Sequence, residues 1–271
     1  MALARSSEQQ RQPLAHSWLP APYRQELVYR VAGSGQPVVL LHGLWNSSRI
    51  WQGTLETFRT SYQLYAPDLP GHGQSPPRFP WRLREIAALL GVWMRSLEMA
   101  PATVVGHSMG GALAMLLAAT EPKLVQRLVL VNAVGLPLRR PFLRTLTRAG
   151  VSFANQQSIR YTSRYSARSN RLQPLATWQA LDEILTCDLR PDLSAITCPT
   201  LIIWGMRDPL LPTQVAAMLQ GWIQGAELVL LPNVRHQPQR QVPAIFHDIL
   251  GNFLERWSAA NQTPDQKVSA P

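Results

Sequence analysis

Cysteine, lysine and long apolar runs are all scarce in this sequence of 271 residues. The two cysteines, Cys187 and Cys198, have neither the spacing of metal ligands nor a disulfide framework, which excludes a disulfide-stabilised secreted fold. No run approaches the roughly 18 apolar residues of a membrane-spanning helix. Residues 1–16 are polar and contain no apolar core of a signal peptide, so we expect a cytoplasmic protein.

Because lysine is nearly absent, arginine supplies almost all of the formal net charge of +10. A basic chain can bind nucleic acid or an anionic membrane surface. No nucleic-acid-binding motif accompanies the charge, so we expect no nucleic-acid partner, whereas peripheral contact with an anionic membrane stays open. The sequence does not indicate an oligomeric state.

Short apolar runs alternate with amphipathic segments along most of the chain. The apolar runs predict strands at residues 25–31, 37–41, 62–66, 102–105, 127–132, 200–204 and 227–231. Apolar residues at helical spacing predict helices at residues 48–60, 82–99, 109–120, 213–223 and 242–257. Continuous apolar strands that alternate with helices are typical of a mostly parallel, doubly wound α/β sheet that is covered on both faces.

The alternation breaks after about residue 133, and helical pieces follow without a strong strand. This break predicts a short helical cap at 134–196, inserted into an α/β core that is formed by 23–133 and 197–257. The polar ends predict a flexible leader at 1–22 and a disordered tail at 258–271. In such sheets ligands bind at the carboxyl ends of the strands, where we expect the cap to lie.

The strongest catalytic motif is a G-x-S-x-G sequence at residues 106–110, which follows a predicted strand and opens a predicted helix. Glycines on both sides permit a tight strand-to-helix turn, which exposes the hydroxyl of Ser108 beside a helix N-terminus. This context predicts that Ser108 is a nucleophile rather than an incidental serine in a glycine-rich turn.

A serine hydroxyl needs a base within hydrogen-bond reach and a third group that orients the base. Of the six histidines, His236 follows the last predicted strand, in a loop that can reach the carboxyl ends of the others. His107 adjoins the serine and is expected to point away from it. Asp208 follows an earlier strand. Along the chain the candidates then occur in the order serine, aspartate, histidine, which is a known order for such triads. The rival acid position, after the preceding strand, holds Asn132 and offers no carboxylate.

Cleavage of an acyl bond also requires N–H donors for the developing oxyanion. The backbone N–H of Met109, at the start of the helix after the serine, is the first candidate. The second is the N–H of Leu44 in the loop after the strand at 37–41, and the adjacent Trp45 is a candidate substrate contact. This chemistry requires no metal ion and no organic cofactor.

Together these motifs resemble the α/β-hydrolase superfamily, in its group of small single-domain serine hydrolases and esterases with a short helical cap. The resemblance covers about residues 25–257. Its motifs are His42-Gly43, Asp68–Ser75, Gly106–Gly111, Trp204–Asp208 and His236. The resemblance implies that the Asp68–Ser75 turn is structural and helps to shape the floor of the site. One departure is Arg235, where the family usually has glycine before the histidine.

The predicted cap is rich in arginine and poor in carboxylates. Between Gly135 and Leu181 there are eight arginines and no aspartate or glutamate. This composition fits an anionic substrate, contact with an anionic membrane surface, or a solvated helical surface. The arginines that we consider as substrate contacts are Arg139, Arg140, Arg144 and Arg148.

These observations predict a serine hydrolase that cleaves a carboxylic ester, or a related acyl bond, of a small molecule through an acyl-enzyme. An alternative is a carbon–carbon hydrolase or a lyase that acts on a carboxylate-bearing metabolite, similar to the menaquinone-pathway lyase. Dehalogenases and epoxide hydrolases are disfavoured, because those relatives use an aspartate where this chain has Ser108. A third possibility is a non-catalytic ligand-binding protein, against which the presence of all three triad residue types argues.

Overall fold

A computed structural model of the chain describes residues 8–13, 26–137 and 173–260. Their strands form one eight-stranded sheet: β1 (Glu8–Pro13), β2 (Glu26–Ala32), β3 (Gln36–Leu41), β4 (Tyr62–Pro67), β5 (Ala102–His107), β6 (Val125–Val131), β7 (Thr200–Gly205) and β8 (Glu227–Leu231). The strand order is β1-β2-β4-β3-β5-β6-β7-β8. β2 pairs antiparallel with both β1 and β4, and all other pairs are parallel. The predicted, mostly parallel α/β sheet is confirmed.

Helices pack on both faces of this sheet. In the described residues they are α1 (Gln52–Phe58), α2 (Leu83–Ser96), α3 (Met109–Thr120), α4 (Gln173–Thr186), α5 (Arg190–Leu193), α6 (Thr213–Trp222), α7 (Pro238–Gln241) and α8 (Pro243–Ala260), with a 3-10 turn at Ser48–Trp51 before α1. Side chains of α2 to α6 share one apolar core, and those of the 3-10 turn, α1 and α8 share the other.

The central strands are mostly apolar, as expected for strands with both faces buried. On β6, Leu128 and Leu130 point into the core beside α2 and α3, whereas Val129 and Val131 point into the core beside α1 and α8. α3 is rich in alanine and leucine and is buried almost all round, as expected for a helix without a polar face. The carboxyl edge of the sheet, where the site is expected, therefore rests on largely buried elements.

The two ends of the chain differ from their predicted boundaries. Within the segment 1–22, for which a flexible leader is predicted, β1 pairs with β2 along the sheet edge. Its sequence, EQQRQP, lacks the apolar alternation that predicts a strand. Edge pairing uses backbone N–H and C=O groups, which all residues supply except that proline lacks the N–H. α8 continues to Ala260, into the predicted tail. No helix among the described residues is both long and apolar enough to cross a bilayer.

Part of the predicted cap is described, and it is anchored to α2. The backbone N–H of Leu83 donates to the Glu183 carboxylate at 2.9 Å, and the guanidinium of Arg84 makes two hydrogen bonds of 2.9 Å to Asp192. These contacts hold α4 and α5 against the core. The predicted substrate contacts Arg139, Arg140, Arg144 and Arg148 lie outside the described residues.

Candidate active site

Ser108 occupies the turn between β5 and α3 in a strained conformation, with φ 55° and ψ −118°. Non-glycine residues rarely adopt a positive φ, and such strain is concentrated at functional sites. The turn is held by its backbone: the Ser108 N–H donates to the carbonyl of Val131 at 3.0 Å, and the Ser108 carbonyl accepts from Gly111 at 2.9 Å and Val134 at 3.1 Å. Only 8% of the residue is exposed.

The glycines at either end of the motif allow close approach of backbone to backbone. A Cβ atom at Gly106 would overlap the carbonyl of Gly110, and one at Gly110 would overlap the carbonyl of Leu41 in β3. Since both obstacles are backbone atoms inside regular structure, they cannot move aside cheaply. The turn therefore requires glycine at both positions.

The structure brings the predicted base and acid into contact. His236 Nδ1 lies 2.7 Å from Asp208 Oδ2. Because an ionised carboxylate only accepts hydrogen bonds, Nδ1 carries the proton, and His236 Nε2 is left to accept one. Both side chains are buried, with 7% of His236 and 1% of Asp208 exposed. Arg235, the departure from the family pattern, has an ordinary negative φ, and its N–H donates to Gln241.

Asp208 is held as a carboxylate by its surroundings. Burial alone would raise its pKa, because it disfavours the charged form. The attraction and hydrogen bond of His236 oppose burial, together with the N–H groups of Leu210 and Leu211, which donate to Oδ1 at 2.7 and 3.1 Å. The net result is a pKa of Asp208 below its ordinary value. The ionised Asp208 can therefore stabilise a protonated His236.

Asn132, at the rival acid position, supports Asp208 instead of replacing it. Its side-chain N–H donates to Asp208 Oδ2 at 2.6 Å, and its Oδ1 accepts from the N–H of Gly205 at 3.0 Å. The residue is fully buried and has φ 42°. The sequence alone marks Asn132 only as a position without a carboxylate. Asn132 follows β6, and β6 pairs with β7, the strand that precedes Asp208. This position is the signal that could have indicated its supporting role.

The hydrogen bonds of the described residues do not include one between the side chains of Ser108 and His236. They are connected through His107, whose Nε2 lies 2.7 Å from the carbonyl oxygen of His236. The two imidazole rings are 4.8 Å apart between centroids. In substrate-free enzymes, catalytic hydrogen bonds are often long and shorten only when substrate binds.

The two predicted oxyanion donors adjoin the strand-to-helix turn at residues 106–110, which we call the elbow. A Cβ at Gly43 would lie 2.9 Å from the Cβ of Ser108, so the loop that carries Leu44 passes directly beside the serine. Met109 is the first residue of α3, where helix N–H groups have no intrahelical acceptor. Within the described part of the chain, the N–H groups of Leu44 and Met109 make no hydrogen bond. Trp45 is partly buried and packs on the core with φ 58°.

The Asp68–Ser75 turn joins two loops below the site. The Asp68 carboxylate accepts from the N–H of Ser48 at 2.7 Å and from that of Gln74 at 2.8 Å. His42 accepts from the N–H of Leu69 at 3.0 Å, and the His72 ring packs edge-on against the His42 ring. These bonds hold the loop after β4 to the loop after β3, which agrees with a structural role for the turn.

Three buried histidines should make the folded state sensitive to acid. Burial is the main cause that lowers the pKa of His42 to about 4, of His72 to about 3 and of His107 to about 3. Below pH 6.5 the unfolded chain binds protons that the folded chain excludes, so stability falls as the pH falls from 6.5 towards 4. Each histidine contributes up to about 1.4 kcal/mol per pH unit.

We therefore expect the free energy of unfolding, measured by urea titration, to drop by about 4 to 6 kcal/mol between pH 7 and pH 5. His72→Asn removes one titrating group while keeping a donor for the carbonyl of Pro70, to which His72 Nδ1 is bonded at 3.1 Å. In this variant the free energy of unfolding should fall by about 2 kcal/mol less over the same pH interval. Equal losses in the variant and the wild type would show that His72 can be protonated in the folded state.

The sequence also matches known proteins. A model of the alpha/beta hydrolase family matches residues 38–248. A pimeloyl-[acyl-carrier protein] methyl ester esterase from Nitrosomonas europaea is 30% identical over 240 residues, which cover 79% of this chain and 94% of the relative.

Two solved structures have a similar fold. A thermophilic esterase from Thermogutta terrifontis has a TM-score of 0.73 at 20% identity and covers 92% of this chain and 99% of its own. A meta-cleavage product hydrolase from Pseudomonas fluorescens has a TM-score of 0.71 at 21% identity and covers 86% of this chain and 96% of its own. The family match spans most of the described core, and the chain therefore belongs to the alpha/beta hydrolase family.

Proposed function

We propose that this protein is a serine hydrolase that cleaves carboxylic esters through an acyl-enzyme. The observation that carries the proposal is the 2.7 Å pair of His236 and Asp208 at the same sheet edge as the strained elbow of Ser108. A buried base oriented by an ionised acid, beside a serine on a tight turn, is the arrangement that nucleophilic acyl transfer needs.

In the proposed reaction, Ser108 Oγ attacks the ester carbonyl while His236 Nε2 accepts the hydroxyl proton. The N–H groups of Leu44 and Met109 bind the oxyanion of the tetrahedral intermediate. The carbon–oxygen bond to the alcohol then breaks, and His236 gives its proton to the leaving oxygen. Water attacks the acyl-enzyme with His236 again as base, which releases the carboxylic acid and restores the serine hydroxyl.

The comparisons favour an ester over the other bonds that this family cleaves. The relative that is 30% identical is named as a methyl ester esterase, and its similarity extends over most of both chains. The likeness to a meta-cleavage product hydrolase has 21% identity and bears on the fold alone. Carbon–carbon hydrolysis therefore has weaker support than ester hydrolysis.

The direct test is hydrolysis of methyl and p-nitrophenyl esters of graded acyl length by the purified protein. We expect saturable turnover of at least one ester. A diketone that carbon–carbon hydrolysis would split serves as the competing substrate. If the protein cleaves the diketone with a higher kcat/KM than every ester, the ester assignment is wrong.

The arginines of the predicted cap lead to a second expectation, that the substrate carries negative charge away from the scissile bond. Arginine binds a carboxylate through two parallel hydrogen bonds, and loss of one buried contact costs about 2–5 kcal/mol of binding. We expect a half-ester of a dicarboxylic acid to have a higher kcat/KM than the matched neutral ester. Single alanine variants of Arg139, Arg140, Arg144 and Arg148 should identify the contact by lowering this ratio.

Arg256→Ala provides a matched control, because Arg256 lies on α8 outside the predicted cap and pairs with Glu227 at 2.8 Å. This variant should leave the ratio of anionic to neutral ester unchanged. If none of the cap variants changes the ratio either, the cap charge does not recognise substrate. Contact with an anionic membrane surface or simple solvation would then explain it better.

A further inference from the structure

His107 lies next to the turn with Ser108, the loop that carries Leu44 and the loop that carries His236, although the proposed reaction gives it no part. It stands between Gly106 and Ser108 and is almost completely buried, with 1% exposed. Its ring reaches the loop after β8, where its Nε2 approaches the carbonyl oxygen of His236 to 2.7 Å. The residue that precedes the nucleophile thus contacts the backbone of the base.

The chemistry of this contact determines the tautomer of His107. A carbonyl oxygen only accepts hydrogen bonds, so Nε2 carries the proton and donates it. In a neutral ring Nδ1 then has no proton, and among the described residues this buried atom has no hydrogen-bond partner. It faces the loop that carries Leu44, because a Cβ at Gly43 would lie 3.0 Å from it.

A neutral His107 suits its position beside the ring of His236. The two rings are 4.8 Å apart, and His236 becomes positively charged when it accepts the proton of Ser108. Burial first, and repulsion by His236 second, lower the pKa of His107 to about 3, so it stays neutral near pH 7. His107 therefore holds the loop of the base without a second positive charge that would oppose proton transfer.

We propose that His107 is a positioning residue, which holds the His236 backbone through its Nε2–H donor and so fixes the base relative to the adjacent Ser108. The inference rests on the proposed function of this site. His107 is the last residue of β5 and Ser108 follows it directly, so one hydrogen bond links the position of Ser108 to a loop that is 129 residues away in sequence.

The side chain must combine a donor with the correct reach. Glutamine places an amide N–H at about the distance of histidine Nε2 from Cα, whereas asparagine ends near the position of Nδ1. Leucine fills a similar volume without a donor. These three replacements distinguish the effect of the hydrogen bond from the effect of the packing of the ring.

The test measures kcat and KM for an ester that the wild type hydrolyses, with thermal unfolding as the check on folding. His107→Leu and His107→Asn should lower kcat by about 10- to 100-fold with KM within about 2-fold, because small displacements of catalytic groups cost rates of this order. His107→Gln should restore kcat to within about 5-fold of the wild type. A purely structural role would not predict rescue by the longer amide alone.

Each outcome bears on the proposal. If His107→Leu does not fold, the comparison of His107→Asn with His107→Gln decides, since both carry the same amide. Wild-type kcat in His107→Leu or His107→Asn, or a glutamine variant as slow as the asparagine variant, would overturn the positioning role. If the wild type hydrolyses no ester and Ser108→Ala changes nothing, the proposed function itself has failed. If Ser108→Ala is inactive while all His107 variants are active, only the positioning role has failed.

Discussion

Ser108→Ala is expected to lower kcat by at least about 10³-fold for every ester that the wild type hydrolyses. The alanine has no oxygen to form the acyl-enzyme, whereas the Leu44 and Met109 N–H groups remain. If these groups bind the oxyanion, as proposed, a small residual rate above that of water is expected. The measurement is steady-state kinetics on the purified variant.

The control must show that the loss is chemical rather than structural. The backbone bonds of the turn, from Ser108 to Val131 and from Gly111 to Ser108, do not involve the hydroxyl, so the variant should unfold at nearly the wild-type temperature. Ser96→Ala is the matched substitution, because Ser96 lies at the end of α2 and its hydroxyl donates to the carbonyl of Trp93. It should keep kcat, and wild-type kcat in a folded Ser108→Ala protein would exclude Ser108 as the nucleophile.

Asp208→Asn is expected to lower kcat by about 10³- to 10⁴-fold while KM changes little, by analogy with other serine triads. The amide can present an N–H to His236 Nδ1, which favours the tautomer whose proton sits on Nε2 and cannot accept one from Ser108. The variant also loses the negative charge that stabilises protonated His236. Steady-state and pre-steady-state kinetics should show slow acylation with nearly normal binding.

Asp192→Asn is the matched control for this substitution. Asp192 pairs with Arg84 at the anchored end of the predicted cap and does not contact His236. This variant should keep kcat within a few-fold of the wild type. Full activity in Asp208→Asn, combined with loss of activity in a variant of a different carboxylate, would show that another residue is the acid.

The features that the sequence predicts well are those with local signals. The elbow combines a strand, two glycines and a helix within a few residues, and the positions of Asp208 and His236 follow from the strands before them. The buried strands and long helices could also be predicted, because their apolar residues recur with the period of each structure. The fold and the candidate triad therefore follow from short stretches of sequence.

The features that escaped prediction depend on contacts between distant parts of the chain. Asn132 bonds to a residue 76 positions away, and His107 to one 129 positions away, and neither partner is indicated by the local pattern. β1 is polar and is held at the sheet edge by backbone pairing, which leaves no trace in hydrophobic periodicity. Such roles become visible only when the sheet brings strand ends together.

The most direct test of the central claim is to react the native protein with a fluorophosphonate and to map the adduct by mass spectrometry. Such a reagent bonds to a serine whose hydroxyl is activated by a base. We predict one adduct per chain, on the peptide that contains Ser108, formed slowly in Asp208→Asn and absent in Ser108→Ala. An unlabelled wild type, or an adduct at another serine with Ser108 unmodified, would contradict the assignment.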